Sequence, residues 1–363
     1  MRLDDIAKLA NVSKSAVSLA LNGKNGVSEE TREKIVKIAQ EHGYIPRPII
    51  KAEQYFQTRN KLLRFVACTN SGIVTEHYES LPFFMELINN IVKQVNPSGY
   101  SLLVTSVDIN MLKEELTRLE QEQPSSGILL LGTNLTPEQI NIVSTIQQNI
   151  VVLETCFETL NTNFVIMNNV HGAYLAGNYL IDLGHTEIGY IESNSRMYNF
   201  DMIKKGFLQS LSEHGLKMKT ENLFSLSPTM ISSQDVFIEK IKKRSHNLPT
   251  ASFCEADYMA ISVIKSLFEL GIHVPDEISV IGFDNIFKSR VITQELTTIH
   301  VKKEKMTAIA VEQLINQIEN NDSDRINMFI DTELVVRKSS TFYKNENKTD
   351  KVKFNKIPSN LIN

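Results

Sequence analysis

Residues 3–22 constrain this chain more than any other stretch, because they read as two short helices joined by a tight turn. Ile6, Leu9 and Ala10 recur at i, i+3 and i+4, the spacing of one helical face. Asn11 breaks the run, and Asn is among the few residues besides Gly that accept a left-handed backbone. Ser13 stands at the N-cap of a second helix with Ala16, Val17, Ala20 and Leu21 on its apolar face. Ala7 falls where the two helices cross, and its small side chain permits close approach. The opposite face of the second helix then carries Lys14, Ser15, Ser18 and Leu19. The turn cluster Asn22–Gly26 follows, and Ser28 caps a third helix with Glu29 and Glu30 at its positive end. Ile35, Val36, Ile38 and Ala39 close a small core, and His42-Gly43-Tyr44-Ile45-Pro46 stops the helix. The pattern predicts a helix-turn-helix whose second helix enters the DNA major groove. A helical hairpin in an ordinary bundle is the competing reading, and the turn and third helix count against it.

Charge supports a nucleic-acid reader at this end. The net charge of −4 hides a division: residues 1–60 hold ten Lys/Arg against seven Asp/Glu, and the remainder is acidic. No apolar run reaches the roughly 18 residues of a membrane span. The N-terminal stretch has no apolar signal region, so a cytoplasmic location is expected. Cys68, Cys156 and Cys254 are too far apart for a local metal cluster and read as buried free thiols.

From Leu62 the pattern becomes alternating strand and helix. Strands are expected at 62–68, 100–105, 127–131 and 150–153, with helices at 83–95, 111–121 and 137–147 between them. A second set begins near Asn163, with strands at 188–191 and 251–254 and helices at 175–183, 207–214 and 257–270. Repeated βα units imply parallel sheets covered by helices on both faces. No catalytic constellation stands out: the phosphate-binding glycine fingerprints are absent, and His171, His185 and His214 are scattered at helix ends. The body reads as a binder without metal or cofactor, its ligand lying outside the carboxyl ends of the strands.

The words Asp5-Ile6-Ala7, Val12-Ser13-Lys14-Ser15, Val17-Ser18, Leu21-Asn22-Gly23, Val27-Ser28-Glu29-Glu30-Thr31-Arg32 and Gly43-Tyr44-Ile45-Pro46 stand in order near the start. Further on come Pro82-Phe83-Phe84-Met85-Glu86-Leu87, Val280-Ile281-Gly282-Phe283-Asp284-Asn285 and Leu296-Thr297-Thr298-Ile299. With these words the chain resembles the LacI/GalR-type bacterial transcriptional repressors over nearly its whole length. The resemblance implies a small all-α helix-turn-helix head plus an α/β periplasmic-binding-protein-like core of two doubly wound parallel-sheet lobes. It places a DNA-binding domain at 1–46, a hinge at 47–60 and the core at 61–343. With crossings near Leu160, Phe287 and Asp322, the N-lobe takes 61–160 and 288–321, and the C-lobe 161–287 and 322–343. Residues 344–363 are rich in Lys, Asn and Asp and read as a disordered tail.

The expected function is a sequence-specific repressor, a homodimer on a near-palindromic operator, with a small carbohydrate-related effector between the lobes controlling operator affinity. Two rivals stay open: the same DNA-binding role under a protein corepressor, and a solute receptor with a vestigial head. DNA contacts are expected from Ser13, Lys14, Ser15, Ser18, Leu19, Asn22, Lys24, Arg32 and Tyr44. In relatives a hinge leucine wedges into the minor groove; here that place is Glu53, so Ile49 or Ile50 is expected to face the groove, or the operator bends less. Effector contacts are expected from Glu154, Arg196, Asn199, Asp257, Tyr258 and Asp284, with Phe83 and Phe84 either stacking on the ligand or belonging to the core. Many relatives clamp the effector with an arginine three residues before a Gly-aromatic pair. Ile203 holds that place here, before Gly206-Phe207.

Overall fold

The computed structural model describes residues 3–21, 26–42, 61–70, 72–244, 247–321 and 324–344. The chain divides into two units, residues 1–60 and 61–363. The first holds helices α1 (Leu3–Ala10), α2 (Lys14–Leu21) and α3 (Glu29–Glu41). Asn11 takes the left-handed conformation at φ 56°, and Val12 N–H returns to the Ala7 carbonyl at 3.0 Å, closing α1. Ser13 Oγ accepts from Ala16 N–H at 3.2 Å and Ser28 Oγ from Thr31 N–H at 3.3 Å, so both expected caps form. Ile6, Ala7, Ala10, Val17, Ala20, Ile35 and Ala39 make the core. Two positions differ from the sequence reading: Val36 is half-buried outside this core, and Leu9 is 53% exposed. The inward stripe of α1 is Leu3, Ile6, Ala7 and Ala10, a full i, i+3, i+4, i+7 set that leaves Leu9 outside.

The second unit contains two six-stranded sheets. The first set of elements is β1 (Leu62–Thr69), α4 (Pro82–Val95), β2 (Ser101–Asp108), α5 (Leu112–Glu122), β3 (Gly127–Leu131), α6 (Pro137–Ile146), β4 (Ile150–Leu153) and β5 (Asn163–Met167). There follow α7 (Asn169–Asp182), β6 (Ile188–Ser193), α8 (Tyr198–Glu213), β7 (Leu223–Leu226), α9 (Asp235–Lys242), β8 (Ala251–Cys254), α10 (Asp257–Glu269), β9 (Ser279–Asp284) and β10 (Thr297–Val301). The chain then returns through α11 (Lys303–Asn320), β11 (Asn327–Ile330) and β12 (Thr332–Val335).

The N-lobe sheet runs β11-β5-β4-β3-β1-β2 with every pair parallel. The C-lobe sheet runs β12-β10-β9-β8-β6-β7, parallel except where β12 meets β10. The central strands are apolar throughout, as strands covered on both faces must be.

The lobes meet at places other than those the sequence suggested. β5 pairs with β4 in register, Leu153 against Val165, so the chain stays in the N-lobe past Leu160 and leaves it at Asn168. β10 pairs with β9, Thr297 against Ile281, so the return comes at Lys302 and not near Phe287. The last crossing is Asp331, between β11 and β12, rather than Asp322. The N-lobe is therefore 61–167 with 303–330, and the C-lobe 169–301 with 332–344. The crossings are strapped together: Asn168 Nδ2 donates to Asp331 Oδ1 at 3.0 Å, and Lys302 pairs with Glu333. The three cysteines are buried and free, as expected. Among the described residues no helix is long and apolar enough to cross a membrane.

Candidate effector cleft and DNA-reading helix

On the head, Ser13, Lys14 and Ser15 are exposed, and Ser18 and Leu19 are half-buried. Lys14 Nζ lies 2.9 Å from Asp4, with both side chains more than half exposed. Such a pair is worth about 0–1 kcal/mol and exchanges readily for a phosphate. Leu19 leans over the following turn: a Cβ on Gly26, at φ +123°, would come 3.1 Å from its Cδ1. Arg32, expected at the DNA, is held by protein groups. Its Nη1 donates to the Ala20 carbonyl at 3.2 Å and its Nε lies 3.6 Å from Glu29. With 18% of the side chain exposed, it fastens α3 to the C-terminal end of α2, where unpaired carbonyls attract a cation. Asn22, Lys24, Tyr44, Ile49, Ile50 and Glu53 lie outside the described residues.

In the core, the carboxyl ends of both sheets face a cavity of about 600 Å³ of atom-free space, counting its open mouth. Its N-lobe wall starts at α4, where Pro82 occupies the first helical turn. Phe83 and Phe84 meet edge to face at 5.4 Å and do both things left open above: they line the cavity and pack in the core. Phe83 N–H, unpaired within its own helix, donates across the cleft to the Tyr258 hydroxyl at 2.9 Å.

Glu154 follows β4 in a left-handed conformation at φ 65°. Its Oε2 accepts from Asn199 Nδ2 of the other lobe at 2.8 Å. Its Oε1, Asn199 Oδ1 and Asn169 Nδ2 are buried in this cavity wall with no hydrogen-bond partner. A buried polar atom without a partner costs about 1–3 kcal/mol, so these three are candidate contacts for a ligand. Burial pushes the Glu154 carboxyl up to about 7, against the opposing pull of Lys303 and Asn199. Asp284, at φ 109°, also lines the cavity, and burial with the neighbouring Asp257 raises its carboxyl well above the usual range.

Two expected effector residues are held by protein partners. Asp257 is fully buried behind the cavity wall. Its Oδ2 accepts from Ile286 N–H at 2.9 Å and its Oδ1 from Thr298 Oγ1 at 2.5 Å, pinning α10 to β10 and the loop after β9. Arg196 sits at the outer, more polar part of the cleft, where it grips Glu255 at 2.6 Å and Asp201 at 2.7 Å. The place where relatives carry a clamping arginine is filled by Ile203, which lines the cavity at 2% exposure.

Sequence reasoning missed Lys303. It is 2% exposed and reaches Glu86 at 3.1 Å and the Asp284 carbonyl at 3.2 Å. A lysine at the start of an unassigned helix gave no signal.

Residues 2–47 match the family described as bacterial regulatory proteins, lacI family, and residues 178–340 match a periplasmic binding protein-like domain. The HTH-type transcriptional repressor PurR of Mannheimia succiniciproducens is 30% identical over 340 residues, covering 93% of this chain and 98% of that one. The ribose operon repressor of Haemophilus influenzae is 28% identical over 343 residues with the same coverage. The lac repressor dimer bound to operator and the anti-inducer ONPF superposes with TM-score 0.68 at 22% identity, covering 94% of this chain and 99% of that one. A CelR–cellobiose complex superposes at 0.67 with 20% identity, covering 94% and 100%.

Proposed function

The chain belongs to the LacI/GalR family of bacterial regulatory proteins, and from that premise we propose a cytoplasmic, homodimeric repressor whose operator affinity is set by a small carbohydrate-related effector. The α2 helix of each protomer reads one half of a near-palindromic site, about one turn of DNA apart. The effector lies between the lobes, and its differential affinity for closed and open lobes shifts operator affinity. The observation that carries this reading is the cavity itself: two lobes joined by Phe83–Tyr258 and Glu154–Asn199, with three polar atoms left unpaired inside. Those atoms, with aromatic walls from Phe83, Phe84 and Phe200, suit a small polar ligand better than control by a protein corepressor alone. A capped, packed reading head argues against a solute receptor with a vestigial one. The test is a gel shift on a selected operator with a panel of sugars. An operator complex indifferent to every sugar and altered by a protein partner would move the choice to the corepressor.

Two further results are expected from the same assay. Operator affinity should fall with salt, with roughly five to eight counterions released per dimer; an affinity unchanged between low and moderate salt contradicts the electrostatic part. Leu19→Arg should change the selected base, because a leucine touches a thymine methyl whereas an arginine donates to guanine. If selection returns the same operator, Leu19 serves only to pack on Gly26.

A further inference from the structure

We propose that the effector carries a protonated amine, received inside the cleft by Glu154 and Asp284; this deepens the effector reading above and rests on it. Acceptors outnumber donors among the unpaired groups. Among these buried atoms, Glu154 Oε1 in its ionised form and Asn199 Oδ1 accept, and Asn169 Nδ2 donates. No hydrogen bond reaches the Asp284 carboxylate among the described residues; Lys303 binds its backbone carbonyl instead. The neighbouring cations are already engaged, Lys303 with Glu86 at 3.1 Å and Arg196 with Glu255 at 2.6 Å. Lys303 is the cation acting on both Glu154 and Asp284, and it is shared with Asp257 and Glu86, so the carboxyls at this wall outnumber the positive charge set against them, and a buried carboxylate in that position wants a further cation.

Both carboxylates are also presented from left-handed backbone, at φ 65° and 109°, a conformation that costs a non-glycine residue energy and recurs at binding sites. A neutral polyol brings an acceptor with every donor. An ammonium brings three donors and no acceptor. The body bearing the amine is either a sugar ring or an aromatic ring, and the two are separated by the probes.

The experiment is calorimetry on the full-length chain with D-glucosamine against D-glucose, and tyramine against tyrosol. At least one amine should bind tenfold or more tighter than its matched alcohol, and which pair discriminates identifies the body. Glu154→Gln and Asp284→Asn should each weaken that amine about tenfold or more while sparing the matched alcohol. Tyramine stays protonated across neutral pH, so any binding by it should tighten from pH 6 to 8 as Glu154 ionises. The charged groups acting there are Lys303 on Glu154, and Asp257, Lys303, Glu154 and Glu86 on Asp284. Thermal melts of the variants check folding, and the conservative amides keep the Asn199 contact. Alcohols binding as well as amines, no amine binding, or variants with unchanged affinity overturn the proposal. A neutral sugar that binds and releases operator overturns it while leaving the effector reading intact. Failure to bind any selected operator instead strikes at the regulator reading, which the calorimetry does not address.

Discussion

Gly206→Ala should lower the melting temperature of the core by several degrees and abolish the effector response, while the head still binds operator. A Cβ at Gly206 would lie 2.0 Å from the Val170 carbonyl oxygen, and one at Gly177 would lie 1.8 Å from Ser210 Oγ. At Gly206 the obstacle is backbone, so the α7–α8 pair must separate, at an expected 1–3 kcal/mol or more. The consequence reaches the ligand site because the two helices begin at it: Asn169 opens α7 and Asn199 lies in the first turn of α8. Moving α8 outward takes Asn199 away from Glu154, 2.8 Å distant, and loosens the closed cleft. Lys205→Ala, exposed on the same helix, is the control and should be neutral. Melting curves and effector titrations read both effects. Wild-type behaviour in Gly206→Ala would mean that the two helices are not held at this distance.

The second large effect is at Asp257. Asp257→Ala removes the acceptor for Ile286 N–H and Thr298 Oγ1 and leaves a hole beside Gly282, so a loss of about 3 kcal/mol or more is expected. Asp257→Asn should be far milder, since an amide accepts from Ile286 and donates to the Thr298 oxygen. The two variants also differ in pH dependence. Burial raises the Asp257 carboxyl to about 7, against its hydrogen bonds from Thr298 and Ile286 and the more distant Lys303 and Arg337. A carboxyl raised on folding binds a proton more tightly in the folded chain. Its contribution to stability is present below about pH 4 and is lost as the pH climbs toward 7. Glu154 and Asp284 act in the same sense. Chemical denaturation between pH 4 and 8 should therefore show a decline that is reduced in Asp257→Asn. An equal decline in that variant would assign the pH dependence to the other carboxyls alone.

Much of the architecture was written in local patterns. The head declared itself through Asn11, Ser13 and Ser28, each of which makes the turn or cap its chemistry suggests. The strands Gly127–Leu131, Ile150–Leu153 and Ala251–Cys254 stood out because buried parallel strands are unbroken apolar runs. What escaped depends on tertiary context. The helix Lys303–Asn320 and the strands Leu223–Leu226, Asn327–Ile330 and Thr332–Val335 were not assigned, since edge strands carry mixed patterns. Without the last two, the lobe boundaries could not be placed. Glu154, Asn199, Tyr258 and Asp284, expected as chemistry at strand ends or in the helices that follow them, line the cavity. Asp257 and Arg196 share that signature, and only the fold shows that their partners are protein groups. Leu9 illustrates the same limit at small scale, because a helical period is compatible with either edge of an apolar stripe.

The three crossings at Asn168, Lys302 and Asp331 have a mechanical consequence. Three short segments, laced by Asn168–Asp331 and Lys302–Glu333, resist twisting and sliding and leave the lobes one easy movement, a swing about the line through the three. A door on three hinges follows the same arc whoever pushes it. Substitutions that retune the cavity for a different ligand can thus leave the path of closure unaltered. Under the proposed control by an effector, the recognition of a signal and the stroke it drives are then separable, and each can change while the other is kept.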